Sequence, residues 1–487
     1  MEAAASMAFQ VPDMTPALPE IFVLTMACLI LVVDVFLPDR RRAVTYLLSL
    51  ATLAGAGILT LALHEAEPRV TFGGSFVADT MADVLKVFIY LVVATVFVYS
   101  RRYLAERGLF RGEFFTLGLF AVLGMMVMVS ARSLLTVYLG LELLSLSLYA
   151  LVALQRDSAQ AAEAAMKYFV LGALASGILL YGMSVLYGVA GTLDLAELGA
   201  QLGGPAARDP ALLYATVFVL VGLGFKLGAV PFHMWIPDIY HGSATAVTVF
   251  IGTAPKMAGF ALLIRLLGEG MQGLHVHWEQ LVIVLAVLSM AVGNVVAIAQ
   301  RNLKRMLAYS AIAHAGYLLL GVVTGSAEGY AASMFYVIVY AIMSLGAFGM
   351  MLLLSRQGFE ADRLEDFQGL NERSPWLAFV MAILMFSMAG IPPFLGFWAK
   401  FAVLQAVVRA ELVWLAVVGV VFAIVGAYYY LRVVKLMYFD RPEEPAPLPA
   451  GGEARVLVSV NGLAVLLLGI YPSGLMALCA GAFASGG

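Results

Sequence analysis

GFKLGAVPFHMWIPDIYHGSATAVTVFIGTAPKMAGF, residues 224–260, decides how this chain folds. The apolar runs around it are long enough to cross a bilayer. Yet Gly228 and Pro231 interrupt the first run just after Lys226, and Lys256 lies in the middle of the second. Proline removes a backbone donor and clashes with the preceding turn, so the break frees polar backbone groups at membrane depth. Such groups are tolerated only where protein or water covers them. A second stretch has the same character: AGIPPFLGFWAK, residues 389–400, places Pro392, Pro393 and Gly396 before Lys400. Corresponding broken helices in two halves of a chain point to an inverted-repeat transporter architecture.

The rest of the chain supports that frame. Of 487 residues, 62% are hydrophobic and 12% charged, against roughly 25% charged in a soluble domain. A span needs about 20 mostly apolar residues. On that criterion helices fall near 19–37, 43–63, 80–99, 113–131, 133–153, 164–190, 211–230, 244–267, 279–300, 305–324, 328–355, 374–405, 411–438 and 454–478. No period-2 alternation suggests a barrel. The predicted class is an all-α polytopic membrane protein of about 14 transmembrane helices. It has two inverted five-helix repeats, helices 4–8 and 9–13, with helices 7 and 12 broken. The expected organisation is a three-helix segment at 1–112, a first repeat at 113–270, a second at 271–440, and a connector plus final helix at 441–487. PEEPAPLPAGG (442–452) reads as a flexible connector.

Charge placement sets the expected orientation. The first eighteen residues hold no Lys or Arg, so they lack the n-region of a signal peptide and the first run reads as a retained helix. With the N-terminus outside, nineteen of the 28 basic residues fall on the inner side and five on the outer, with four lysines inside helices. This asymmetry predicts both termini outside. A net charge of −3 argues against a nucleic-acid partner. Cys28 and Cys479 have no CxxC neighbour and the six histidines are scattered, which disfavours an iron–sulfur, zinc or haem site. Redox chemistry is expected in other polypeptides.

The buried charges carry the functional reading. Glu142 sits at the centre of LTVYLGLELLSLSLYAL, Lys226 and Lys400 flank the two breaks, and Lys256 is mid-helix. A charge at the bilayer centre costs on the order of 3 kcal/mol or more, so four of them need partners or water. Burial disfavours the charged lysine and a nearby carboxylate favours it. Moving Glu142 relative to Lys226 would therefore load or unload a proton, and Lys256 and Lys400 would extend a midplane row. Glu142 and Lys226 are expected within reach of a salt bridge or one bridging water. His314 in LAYSAIAHAGYLLLG is either a relay or a satisfied packing residue, and Lys304 either a relay or a topology signal at the surface. His233 and His241 flank the helix 7–8 connection. Lys86 is either a snorkelling side chain or a functional one. Glu20 and Asp34, near the ends of helix 1, read as interfacial.

These motifs resemble a known family. Residues 224–260 are similar to the signature of the antiporter-like subunits of respiratory complex I and of multisubunit cation/proton antiporters. LGLELLSLSLYALVAL, EAAMKYFVLGALASGILLYGMSVLYG and RNLKRMLAYSAIAHAGYLLLG resemble, more narrowly, the N-type subunits of bacterial NADH–quinone oxidoreductase. The resemblance implies proton transfer at Glu142, Lys226, Lys256 and Lys400. Lysine at position 400 agrees with the N type, where the M type carries glutamate. It also implies a location in the bacterial inner membrane, subunits M and K as neighbours, and NADH, FMN, iron–sulfur clusters and quinone bound by partner subunits rather than here. A Na⁺/H⁺ antiporter subunit and a non-pumping scaffold are the rival readings.

Overall fold

The computed structural model describes residues 11–204, 209–441 and 452–484. The expected connector at 442–451 lies outside them. The spans are α1 (Leu18–Val35), α2 (Ala43–Ala62), α3 (Thr80–Glu106), α4 (Gly112–Val129), α5 (Leu134–Val152), α6 (Ala159–Ala190), α7a (Pro210–Leu227) with α7b (Trp235–Gly242), α8a (Thr245–Gly252) with α8b (Ala254–Leu263), α9 (His275–Ile298), α10 (Leu303–Val323), α11 (Ala327–Leu354), α12a (Pro375–Ala389) with α12b (Leu395–Arg409), α13 (Val413–Phe439) and α14 (Glu453–Ile470). Among the described residues thirteen helices are long and apolar enough to cross a membrane. The halves of α12, 15 residues each, make a fourteenth crossing.

Polar residues set the helix starts. Asp79, Ser133, Ser158, Asp209, Asn302 and Ser326 each accept a bond from a first-turn backbone amide, so donors that would otherwise be orphaned are satisfied locally. The burial pattern sorts the spans. α8, α10 and α11 are enclosed by other helices, whereas α1, α13 and α14 leave most of their surface outward. The apolar outer faces are what a lipid-facing bundle requires.

The structure departs from expectation in four places. Helix 8 is interrupted at Thr253 (φ −122°, ψ −93°), because Pro255 denies the ladder a donor and the Thr253 hydroxyl takes the Val249 carbonyl instead at 2.7 Å. The chain after the helix 7 break forms its own short helix, α7b. A two-stranded hairpin, Arg69–Thr71 with Phe76–Ala78, sits between α2 and α3. A short helix, Leu195–Gln201, follows α6 and is capped by the Asp194 carboxylate.

The two breaks are built alike. Gly228 and Gly390 are both left-handed (φ 77° and 88°), and Val230–Pro231 and Pro392–Pro393 are both cis. Ala229 N bonds to Gly224 O and Phe232 N to Ala229 O; their counterparts are Ile391 N to Phe386 O and Phe394 N to Ile391 O. Each atom recurs 162 positions on, as 391 is from 229. Earlier in the repeat the offset is 169. Leu134 N reaches Leu193 O and Leu195 N reaches Arg132 O, while Leu303 N reaches Asp362 O and Leu364 N reaches Arg301 O. A unit of five spans starts its copy on the opposite side, so α4–α8 and α9–α13 are inverted repeats.

Close backbone approach joins each repeat's first two helices. A Cβ on Gly124 would stand 2.5 Å from the Leu144 amide, and one on Gly293 2.5 Å from the Ala313 amide. Small residues at such crossings let membrane helices pack by contact alone. Gly124→Ala and Gly293→Ala should each destabilise by about 1–3 kcal/mol through overpacking. Gly177→Ala, whose Cβ meets nothing within 4 Å, should be nearly neutral. Thermal melting of the purified protein tests this, and equal melting of all three variants would remove the packing argument.

Candidate functional site

Each break leaves helix-end carbonyls without an intrahelical donor, and a lysine occupies each. Lys256 Nζ donates to Leu227 O at 2.7 Å, the carbonyl just before Gly228. Lys400 Nζ donates to Met388 O and Ala389 O at 3.0 and 2.9 Å, just before Gly390. The left-handed glycines turn these carbonyls off the helix axis. Trp235 locks the first break by donating Nε1 to Phe225 O at 2.8 Å, and its ring lies 5.6 Å from Lys256 Nζ. Ser387 locks the second by accepting the Gly396 amide at 2.9 Å.

Lys226, at the end of α7a, donates to Ser145 Oγ on α5 at 2.8 Å. Glu142 stands one turn away on α5 and acts electrostatically on Lys226, but no ion pair within 4.0 Å joins them. Its Oε1 is buried without a hydrogen-bond partner. The pair is therefore open in this structure, and the lysine is bonded to the serine instead.

Two small cavities continue the row. One of about 40 Å³ is bounded by Ser145, Lys226, Trp235 and Lys256. The next, of about 20 Å³, is bounded by Lys256, His314, Tyr336 and Tyr340. A water needs roughly 10–15 Å³ of such space, so both have room for one. His314 is 4% exposed. Its Nδ1 lies 2.6 Å from the Tyr336 hydroxyl and its Nε2 3.1 Å from that of Tyr430. Both partners can donate or accept, so either tautomer is satisfied. Tyr317 packs beside His314, with ring centroids 6.4 Å apart, and Lys400 Nζ sits 5.1 Å from the Tyr317 ring. Lys226, Lys256, His314 and Lys400 are thus linked in order by two cavities and the Tyr317 ring, with Glu142 one turn from Ser145.

The remaining residues sort differently. Lys304 is 3% exposed and donates to Ser243 O and Thr245 Oγ1 at 3.1 and 3.2 Å, so it is not a surface charge. Lys86 is fully buried and does not snorkel; it meets Glu20 Oε1 at 2.6 Å. Glu20, in the first turn of α1, is buried with it. Asp34 is also buried and holds Arg42 and Thr45. His233 Nδ1 has no hydrogen-bond partner, and His241 Nδ1 lies 3.3 Å from Gln160 Nε2. Neither histidine touches the row. Asp238 on α7b bonds Lys167 at 2.9 Å and Arg305 at 3.0 Å.

Sequence reading passed over Ser145, Trp235, Tyr317, Tyr336 and Tyr430. A signal for Ser145 existed: the 169-residue offset sets it opposite His314. The aromatic residues had none, since tyrosine and tryptophan are ordinary in membrane helices.

Comparison with known proteins places the fold in a known family. Residues 131–426 match the family described as NADH:quinone oxidoreductase/Mrp antiporter, TM. The chain is 60% identical over 477 residues to NADH-quinone oxidoreductase subunit N of Thioalkalivibrio sulfidiphilus, covering 98% of this chain and 99% of that one. It is 62% identical over 475 residues to subunit N of Thiobacillus denitrificans, covering 97% and 98%. Among solved structures, it resembles a chain of respiratory complex I from Thermus thermophilus with bound aureothin, at TM-score 0.81, 34% identity and coverage of 95% and 100%. It shares its fold with a chain of the Mrp complex from Dietzia sp. DQ12-45-1b, at TM-score 0.83, 23% identity and 97% coverage of both. The chain belongs to the NADH-quinone oxidoreductase subunit N family, within the larger family of complex I and Mrp antiporter membrane subunits.

Proposed function

We propose that this chain translocates protons as a membrane-arm subunit of NADH:quinone oxidoreductase, passing them along Glu142, Lys226, Lys256, His314 and Lys400. The observation that carries this reading is the row itself. Lys256 and Lys400 rest on neutral carbonyls with no carboxylate in ion-pair reach, and Lys256 borders two cavities large enough for water. Fixed structural charges are paired, because an uncompensated buried charge is very costly. Lysines left unpaired beside water-sized spaces suit a group whose charge comes and goes. The oxidation of NADH and the reduction of quinone would then occur in other subunits. Those subunits would hold NADH, FMN, the iron–sulfur clusters and quinone, so this chain carries no redox site. Subunits M and K are the proposed neighbours, and both termini face the outside of the bacterial inner membrane.

A Na⁺/H⁺ exchange role is less well supported. A sodium ion needs oxygen ligands, and the row offers one carboxylate among lysines. The scaffold reading requires fixed pairs, and Lys226 and Glu142 do not form one.

Replacing Lys226 by alanine removes the titratable nitrogen and leaves Glu142 without a nearby cation, so that carboxylate should take up a proton. Arginine keeps the charge but does not release its proton at working pH. Both variants are expected to assemble and to lose most proton pumping in the reconstituted complex, measured by acidification of proteoliposomes. Normal pumping by Lys226→Arg would reject proton carriage at this position. Lys256→Ala and Lys400→Ala should lower pumping to a similar degree. His314→Ala should cost less, because the flanking cavity leaves room for a water to bridge the gap. If Lys256→Ala pumps at the parent rate, the continuous row is wrong.

A further inference from the structure

A second cluster of buried polar groups lies off this row, where α3, α7b, α8a, α10 and the segment after α11 meet. Glu360 is its outer member. A tight turn, Arg356–Phe359, closed by two 3.0 Å backbone bonds with Gly358 left-handed (φ 76°), sets Glu360 at the mouth of the bundle. The Ser355 hydroxyl holds the next amide, Ala361 N, at 3.0 Å. The segment is then tied to the start of α10 by Asp362 O accepting from Leu303 N at 2.6 Å. The Glu360 side chain keeps 30% of its surface exposed. Inward it meets only buried groups.

The two carboxylate oxygens do different things. Oε2 takes Arg107 Nη2, from the residue after α3, at 2.8 Å, and the Tyr103 hydroxyl on α3 is shared between Oε1 at 3.0 Å and Oε2 at 3.1 Å. Oε1 accepts a short bond from the Thr245 hydroxyl. Thr245 Oγ1 in turn accepts from Lys304 Nζ, and Thr245 is 1% exposed. An unbroken chain of hydrogen bonds therefore runs from a half-exposed carboxylate, through one hydroxyl, to a buried amine. The other charged and titratable groups around it are Tyr103 on α3, Arg107 just after it, Arg305 on α10, Asp238 and His241 on α7b, and Asp362 on the loop.

We infer that Glu360, Thr245 and Lys304 form a proton-loading site, in which Glu360 collects protons from water and Thr245 hands them to Lys304. The inference rests on the proposed proton translocation and adds an entry route to it. The step balances. A proton from water binds the Glu360 carboxylate. The Glu360 O–H bond then breaks as a new O–H forms on Thr245 Oγ1, while the original Thr245 hydrogen moves to the neutral Lys304 nitrogen and makes an N–H bond. No electrons are gained or lost. The arrangement left behind is the one observed, with Thr245 donating to a Glu360 carboxylate and Lys304 donating to Thr245. Arg107 steadies the carboxylate through Oε2 and Tyr103 through both oxygens, so the Arg107 anchor and the proton passed through Oε1 use separate atoms.

That separation gives the test. Thr245→Val keeps the shape and leaves the Arg107–Glu360 and Tyr103–Glu360 contacts intact but removes the relaying hydroxyl; Thr245→Ser restores a hydroxyl. In the whole complex in proteoliposomes, Thr245→Val and Glu360→Gln should lower pumping by about tenfold. That is less than the roughly 100-fold a positioned acid–base group can contribute, because slower steps elsewhere mask part of it. The loss should deepen as pH rises and protons become scarce, and Thr245→Ser should pump at close to the parent rate. A purely structural role predicts a loss independent of pH. Parent-rate pumping by Thr245→Val, a pH-independent loss, or a serine variant as impaired as valine would each overturn the inference. If Glu360→Gln does not assemble, the Val and Ser pair decides alone. Lys256→Ala is run beside them. If it stops pumping while Thr245→Val does not, the entry route falls and the row stands. If Lys256→Ala also pumps normally, proton translocation through this chain falls as well.

Discussion

The contact between a lysine nitrogen and the carbonyls at the end of a broken helix organises this molecule. In the hydrocarbon region an unsatisfied backbone carbonyl costs several kcal/mol, so a helix cannot simply stop there. Here α7a stops at Leu227 and α12a at Ala389, and the amines of Lys256 and Lys400 fill the gaps. The same contact solves a second problem. An amine buried without a carboxylate needs acceptors, and carbonyls at a helix C-terminus carry partial negative charge. Because the acceptors are neutral, the lysine gains a partner without having its charge fixed by an opposite one.

Other buried charges show the alternative. Arg265 is 2% exposed, yet it is held by Asp79 at 2.7 Å, Glu269 at 2.6 Å and Val129 O at 3.0 Å. Lys86 sits against Glu20 within ion-pair distance. Breaking such a pair costs about 3–5 kcal/mol because the remaining charge is stranded, which makes these clusters rigid joints. The row residues lack that neutralisation. Buried charge among the described residues thus divides into paired groups that fix helix positions and row groups without an ion-pair partner, of which Lys226 and Lys256 border cavities.

The inverted repeat explains why the row crosses the whole bundle. Equivalent breaks in α7 and α12 put a carbonyl-bound lysine in each half, and α10 lies between them with His314. The repeats are alike in backbone and different in side chains. Ser145 stands where the second repeat has His314, and Asp238 stands 162 positions before Lys400, as Gly228 does before Gly390. In the first repeat that position binds surface cations, whereas in the second it reaches inward. A symmetric scaffold therefore supports an asymmetric path.

Much of this was legible in the sequence, for identifiable reasons. Apolar run length gave the spans, since a bilayer of fixed thickness demands about 20 residues. The breaks in α7 and α12 announced themselves because proline and glycine act through the local backbone. Glu142, Lys226, Lys256 and Lys400 stood out because charge in an apolar run is conspicuous. What a charge touches is another matter, since partners lie tens to hundreds of residues away. Lys226 turning to Ser145 rather than to Glu142 depends on the relative rotation of α5 and α7a. Lys304 looked like a surface charge at the start of a helix and is enclosed because α8a and the loop after α11 fold over it. Lys86 found Glu20 only through the packing of α3 on α1. The interruption at Thr253 was less visible, because a single Pro255 is often accommodated at the start of a helix, and only the crowded packing around α8 fixed it as a break. Local chemistry determined where this chain crosses the membrane and where helices 7 and 12 bend; which buried groups lie together was decided by tertiary packing, because hydrogen bonds between side chains depend on positions in space that sequence distance does not encode.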